Sequence, residues 1–344
     1  MMRTLSSAVL FLAVTAPAQT APLPSANSAY AQALKEFQAG NYASAVDLFG
    51  DVEAAFPGTT DSSLYQARAL IHLQEFIRAE MVLRGYIRGH RDSSDALYLL
   101  GFVLHRRNRP AESLEIYTHA AAITAPTSDD LKVVGLNYVL LDDYTDAIKW
   151  LNKSVELQPT NKDAWYYLGR AYYSKAQLPE ARTAFEKVLE LHPQDTKAQT
   201  NIGLILETSG RTDAAMEAYR TAIAWQEKGA EPSEQPYVNL GNLLLEQGHA
   251  QEGIAALEKA VAMAPRNAFC HLKLGMAYRQ LGRLDDSEEQ LTQATTLEPE
   301  NATAHYQLGR VYKDKHFLDK AQVEFERTEE LQNRASHPKK TADH

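Results

Sequence analysis

The chain has 344 residues, 44% of them hydrophobic, enough to bury a substantial core and too many for a disordered polymer. Thirty-five Lys and Arg stand against 44 Asp and Glu, a net charge of −9 that excludes a general nucleic-acid binder, which needs a net cationic face. The one cysteine, Cys270, excludes an internal disulfide framework and a cysteine-based metal site. We read it as a small apolar residue on a packed helix, the alternative being a thiol that pairs between chains.

In chain order, the first segment is an address. Arg3 precedes a mostly apolar stretch from Leu5 to Val14, and Ala16, Pro17 and Ala18 fit a small-residue cleavage site. The stretch is too short to cross a bilayer core, which needs about 20 residues. Residues 1–18 are therefore expected to be a cleaved secretory signal, with an uncleaved anchor or a misassigned start as the alternative. The mature chain is expected to be exported, to the periplasm or beyond the cell, with no membrane span. Residues 19–25, which include Pro22 and Pro24, read as a linker.

From residue 26 the chain repeats itself. Gly101, Gly135, Gly169 and Gly203 are spaced 34 residues apart, and Gly241, Gly275 and Gly309 continue the series after a four-residue slip. A fixed period of this length marks a stack of supersecondary units. With the glycine set at position 8, position 20 is small throughout (Ser113, Ala147, Ala181, Ala215, Gly253, Ser287, Ala321). Position 24 is large (Tyr117, Leu151, Phe185, Tyr219, Leu257, Leu291, Phe325), and position 32 is proline at Pro159, Pro193, Pro265 and Pro299. Two earlier repeats carry Ala33 and Ala67 in place of the glycine. Nine repeats result, at about 26–59, 60–93, 94–127, 128–161, 162–195, 196–233, 234–267, 268–301 and 302–335.

Positions 4, 7, 8 and 11 have the spacing of one helical face, as in Trp165, Leu168, Gly169 and Tyr172. Positions 20, 24 and 27 form a second face, here Ala181, Phe185 and Val188. A turn near position 15, with Gly210, Gly248 and Gly282, separates them, and proline at 32 stops the second helix. Each repeat is thus expected to be two antiparallel helices whose small residues at 8 and 20 let the backbones approach. The sixth repeat has four extra residues, and Gln226–Gln235 reads as a longer loop. The ninth carries Gln322, Glu324, Glu326, Glu329 and Glu330 on its second helix, a polar exterior suited to a terminal cap, and residues 336–344 read as a disordered tail.

The fifth repeat, Trp165–Pro193, closely resembles the tetratricopeptide repeat signature. The eighth, with Leu274, Gly275, Tyr278, Gly282, Leu291, Ala294 and Pro299, resembles it less fully. The resemblance covers about residues 26–335. It implies an all-α fold, a right-handed α-solenoid superhelix whose first helices line a concave groove and whose second helices form the convex back. It further implies that positions 2, 5, 6, 9, 12 and 13 of the first helix face that groove. Here those positions include Tyr98, Phe102, Tyr166, Tyr167, Arg170, Tyr173, Asn201, Asn239, Asn242, Arg279, Arg310 and Lys313. Aromatic and Arg residues are the usual interface anchors, and asparagine can hydrogen-bond an extended backbone. For Tyr166, Tyr167 and Tyr173 the alternative is packing between adjacent first helices. The Lys-at-5, Asn-at-9 pair with which some relatives grip C-terminal carboxylates is missing: Lys132 is followed by Leu136, and Asn242 is preceded by Val238.

Nothing points to chemistry. There is no phosphate-cradling glycine loop, no Gly-x-Ser-x-Gly elbow and no His-Glu-x-x-His pair, and no cofactor is expected. His271 and His305 share position 4 of adjacent repeats, on the order of 10 Å apart by helix packing, too far for one metal ion. We read them as substitutes for the Trp165 filler. Seven arginines lie between Arg78 and Arg109 against three acids. Arg84, Arg88 and Arg91 share a helix face and Arg106, Arg107 and Arg109 sit at a turn, two clusters expected at opposite edges. A solvated face is the simpler reading of them, an acidic partner or anionic surface the other. The reading is a non-enzymatic, exported scaffold that binds a peptide or protein segment in its groove. The alternatives are a structural subunit of a cell-envelope or polymer-export complex and the regulatory arm of an enzyme.

Overall fold

The computed structural model describes residues 25–229 and 231–336. The expected signal, nearly all of the expected linker and the tail beyond Ser336 lie outside the described residues. Within them every regular element is an α-helix, 18 in all, and the chain divides into two compact bodies at Ala125/Pro126. The N-terminal body holds α1 (Ala26–Gln38), α2 (Tyr42–Ala55), α3 (Ser62–His72), α4 (Phe76–Gly89), α5 (Ser94–Arg106) and α6 (Pro110–Ile123). The C-terminal body holds α7 (Ser128–Leu140), α8 (Tyr144–Leu157), α9 (Lys162–Ser174), α10 (Leu178–Leu191), α11 (Thr196–Thr208) and α12 (Thr212–Glu227). It continues with α13 (Gln235–Glu246), α14 (Ala250–Met263), α15 (Ala268–Gln280), α16 (Leu284–Leu297), α17 (Ala302–Asp314) and α18 (Leu318–Ser336). Each odd-numbered helix pairs with the even-numbered helix after it, and inside each body every hairpin stacks on the next.

Local chemistry sets the helix ends. Ser25, Ser93, Thr127, Asn161, Asp195, Asn267 and Asn301 each precede a first helix and accept a backbone N–H of its first turn through the side chain. Thr127 and Asp130 satisfy each other's exposed donors in a capping box. The turn inside every hairpin places position 15 in the left-handed region, at Gly40, Gln74, Asn108, Asp142, Ala176, Gly210, Gly248, Gly282 and His316. Glycine takes that conformation freely, yet five of the nine residues there are not glycine.

Inside the hairpin, position 8 is glycine for a reason more specific than backbone approach. The large side chain at position 24 lies directly on it. A Cβ at Gly203 would sit 2.4 Å from Cε1 of Tyr219, and one at Gly169 would sit 2.9 Å from Cζ of Phe185. Only at Gly241 does the facing backbone come as close, with the Gly253 carbonyl 2.9 Å from the added carbon. Serine at position 20 adds a bond that its size alone did not announce. Ser113 Oγ donates to the Gly101 carbonyl and Ser287 Oγ to the Gly275 carbonyl, both at 2.6 Å. Phe49, Leu70, Leu83, Leu100 and Leu104 are buried in the N-terminal core. Leu151, Leu168, Phe185, Tyr219, Leu257 and Leu291 are buried in the C-terminal one.

Three expectations change. The long loop of the sixth repeat is shorter than 226–235, because α12 runs 16 residues to Glu227 and α13 starts at Gln235. The final helix runs through Ser336, one residue into the segment read as tail. The basic clusters are not at opposite edges: Arg84, Arg107 and Arg109 all meet the Glu80 carboxylate, and Arg84 and Arg109 both reach Glu112. Glu80 is 6% exposed, and a buried carboxylate gathers cations around itself. No described helix is long and apolar enough to cross a membrane.

Candidate functional site

A recess of about 490 Å³ opens in the C-terminal body on the face made by first helices. Its walls are Glu207 from α11, Asn242, Leu245 and Glu246 from α13, Lys273, Met276, Ala277, Arg279 and Gln280 from α15, and Gln307 and Arg310 from α17. Three of the residues singled out in the sequence, Asn242, Arg279 and Arg310, converge here. Asn242 and Arg310 stand at position 9 and Arg279 at position 12 of their repeats, positions three residues apart and so on one helix face.

Arg279 is the best-defined of the three. Its Nη2 is 2.7 Å from Asp314 Oδ2, while its Nε is buried with no hydrogen-bond partner among the described residues. A buried donor left unpaired costs free energy, about 1–3 kcal/mol. Arg310 lies over the Tyr306 ring, its guanidinium carbon 5.7 Å from the centroid. Lys273 holds its ammonium 5.2 Å from the Phe269 ring. On the acidic side, Glu207 accepts the Tyr219 hydroxyl at 2.6 Å, and Glu246 is exposed. Burial, with the Glu207 carboxylate second, pushes the Tyr219 hydroxyl far above the ordinary phenol range, so it remains a donor to Glu207. The recess thus offers N–H donors and carboxylate acceptors side by side, the two functions an extended polypeptide backbone needs.

The other singled-out residues are placed elsewhere. Tyr98 and Phe102 belong to the N-terminal body. The Tyr98 hydroxyl donates to the Thr124 carbonyl at 2.6 Å, and Phe102 lies 5.9 Å below the Arg106 guanidinium. Tyr166 packs edge-on against Tyr167 at 5.5 Å and Phe185 at 5.7 Å, and the Asn201 amide points at its hydroxyl from 3.5 Å. Tyr173 shares a hydrogen bond with Thr208 at 2.9 Å. Tyr166 and Tyr173 are half-buried, and each ties α9 to α11. Arg170 and Lys313 are exposed, and Asn239 accepts from Gln235 at 2.8 Å. Lys273, Gln280, Gln307, Glu207 and Glu246 were passed over although they occupy positions 6, 12 and 13, because only aromatic, Arg, Asn and one Lys side chains were weighed as anchors.

The histidines behave as fillers. His271 Nε2 donates to the Pro265 carbonyl at 3.0 Å and its Nδ1 meets Gln290 at 2.8 Å. His305 makes the same pair of contacts with Pro299 at 3.1 Å and Glu324 at 2.6 Å, and Trp165 Nε1 donates to Pro159 at 2.9 Å. Among the described residues no group of three or more His, Cys, Asp or Glu side chains is placed to hold a metal.

With the repeated hairpin, its turn and its packed glycine in place, the chain belongs to the tetratricopeptide repeat family. One tetratricopeptide repeat model matches residues 30–88, 166–232 and 238–288, more than half of the chain, and a second TPR repeat model matches 135–176 and 275–315. Among curated proteins it is similar to anaphase-promoting complex subunit 3 of Schizosaccharomyces pombe, 20% identical over 266 residues, 76% of this chain and 39% of that one. It is also similar to the BBSome complex member BBS4 of Xenopus tropicalis, 27% identical over 128 residues, 37% of this chain and 25% of that one. The chain spans less than half the length of either. A tetratricopeptide repeat protein of Parabacteroides merdae has a similar solved structure, with a TM-score of 0.58 at 15% identity over 73% of this chain and 98% of that one. That likeness establishes the fold. The fold is that of a protein-interaction scaffold, and proteins built on it bind protein partners.

Proposed function

We propose that this protein is a non-enzymatic scaffold that binds an extended peptide or protein segment across the first-helix face of its C-terminal body, seated at the Asn242–Arg279–Arg310 recess. The observation that carries the reading is the recess itself: three anchors of the sequence reading converge on it, and the Arg279 Nε in its wall is buried without a partner. Asn242 and Gln307 serve the backbone of the segment, Arg310 and Lys273 its acceptors, and Glu246 its donors. Export rests on Arg3, the apolar stretch after it and Ala16–Ala18, and belongs to the proposal.

The test is site-specific photo-crosslinking on the full chain. A photoreactive residue at Met276, inside the recess, is expected to capture a discrete partner segment, whereas one at Glu252 on α14 is not. Equal capture from both positions, or capture that persists at Met276 when Arg279 and Arg310 are alanine, removes the recess from the account.

A further inference from the structure

Two repeat junctions open a slot at the same place, bounded by positions 25, 28, 29 and 32 of one repeat and positions 4, 7, 23 and 26 of the next. At three other junctions a ring ties the two repeats together here, whereas the α12–α14 slot stays open beside Tyr237 at position 4. The ring of Trp165, His271 or His305, all at position 4, reaches the carbonyl of the preceding repeat's position-32 proline. The two histidines also meet the position-23 side chains Gln290 and Glu324.

In the N-terminal body, between α4 and α6, position 4 is only Leu97, and the slot stays open with a volume of about 450 Å³. Its floor is Ile87, Leu97, Leu100 and Ile116; its rim is Arg84, Arg88, Arg91 and His119. Arg91 stands where four later repeats have proline. Arg84 is engaged by Glu80 and Glu112, but Arg88 and Arg91 are exposed and have no carboxylate partner among the described residues. The matching slot between α12 and α14 has no such bias, because Glu227 stands opposite Arg220 and Lys259 and position 29 is Ala224. Of the two slots, this one alone sets an apolar floor under arginines that lack carboxylate partners among the described residues, in a chain of net charge −9.

We propose that the α4–α6 slot is a second binding site, which takes one bulky apolar side chain flanked by carboxylates from an acidic protein segment. Ile87 and Ile116, both half-buried, are the apolar surface that a side chain entering between the arginines would meet, with Leu97 and Leu100 beneath them. The site is separate from the recess of the C-terminal body and stands or falls independently of it.

The probe is a fluorescent, end-capped peptide with one Trp between pairs of Glu, titrated into the full chain by anisotropy at low salt. Binding is expected, at least about tenfold weaker when Ala replaces the Trp, a loss typical of one anchoring side chain. Arg88→Glu with Arg91→Glu should cause a similar loss, and so should Leu97→Trp, whose added bulk takes up the slot from beneath. Both variants are checked for native helix content by circular dichroism, and Lys175→Ala, an exposed cation outside both sites, is expected to bind as the wild type does. No binding, equal binding of the Ala peptide, or affinity unchanged in both slot variants overturns the proposal. Binding to anionic phospholipid vesicles but not to the peptide, abolished by the double arginine variant, also overturns it and assigns the arginines to a lipid surface.

Discussion

At the scale of single residues, the repeat rests on two positions with opposite tolerance. Position 8 has no room. Tyr219 is fully buried and its hydroxyl is held by Glu207, so it cannot yield to a methyl group arriving at 2.4 Å. Gly203→Ala is expected to destabilise the C-terminal body by about 2 kcal/mol in urea denaturation, overpacking outweighing the helix propensity gained. Position 15 has room but the wrong backbone for most residues. Ala176 sits at φ 56°, where a side chain costs roughly 1–2 kcal/mol, so Ala176→Gly should stabilise by about 0.5–1 kcal/mol in the same measurement. This contrast explains what could be read from the sequence. A steric demand leaves an invariant glycine series from Gly101 onward, whereas a bearable strain is masked by Gln74, Asn108, Asp142, Ala176 and His316. Cys270 follows its packed reading: it is fully buried, and burial pushes its thiol up to about 11. The native protein should resist iodoacetamide at pH 8 and react only in denaturant.

Helices were easier to read than the ties between them. The periodic faces, the turn glycines and the prolines announced most of the 18 segments, while the ion network joining α4 to α6 went unseen because Glu80 lies 27 and 29 residues from Arg107 and Arg109. Burial alone would raise the Glu80 carboxyl, but hydrogen bonds from Arg84, Arg107 and Arg109 outweigh it and hold the group below its ordinary value of 4.5. A carboxyl depressed in the folded state contributes stability in full above its unfolded value, and that contribution is lost as pH falls through the folded one. Stability of the N-terminal body should therefore fall as pH is taken below the ordinary carboxyl value of 4.5. Glu80→Gln should cost about 1–3 kcal/mol at neutral pH, the loss typical of hydrogen bonds to a charged group, and show a flatter acid limb when chemical denaturation is repeated across pH.

The whole molecule is two all-helical bodies of one repeat family, and what they do depends on which outward residues the register gathers. The periodicity identified the fold, and the family's positional rule marked candidate anchors along both bodies. Only the three-dimensional register selected Asn242, Arg279 and Arg310 as neighbours and used Tyr166 and Tyr173 to tie α9 to α11, because convergence depends on how successive hairpins rotate, which no single repeat encodes. If the export reading is right, mass spectrometry of protein from its source should find a mature chain beginning at Gln19. The central claim concerns the recess, and its most direct test is the affinity of the segment captured at Met276, synthesised as a peptide and titrated calorimetrically into the full chain. Arg279→Ala with Arg310→Ala should weaken its Kd at least about tenfold while helix content is unchanged, the loss expected of interface anchors. A Kd that is the same for the variant and the wild type would contradict the assignment.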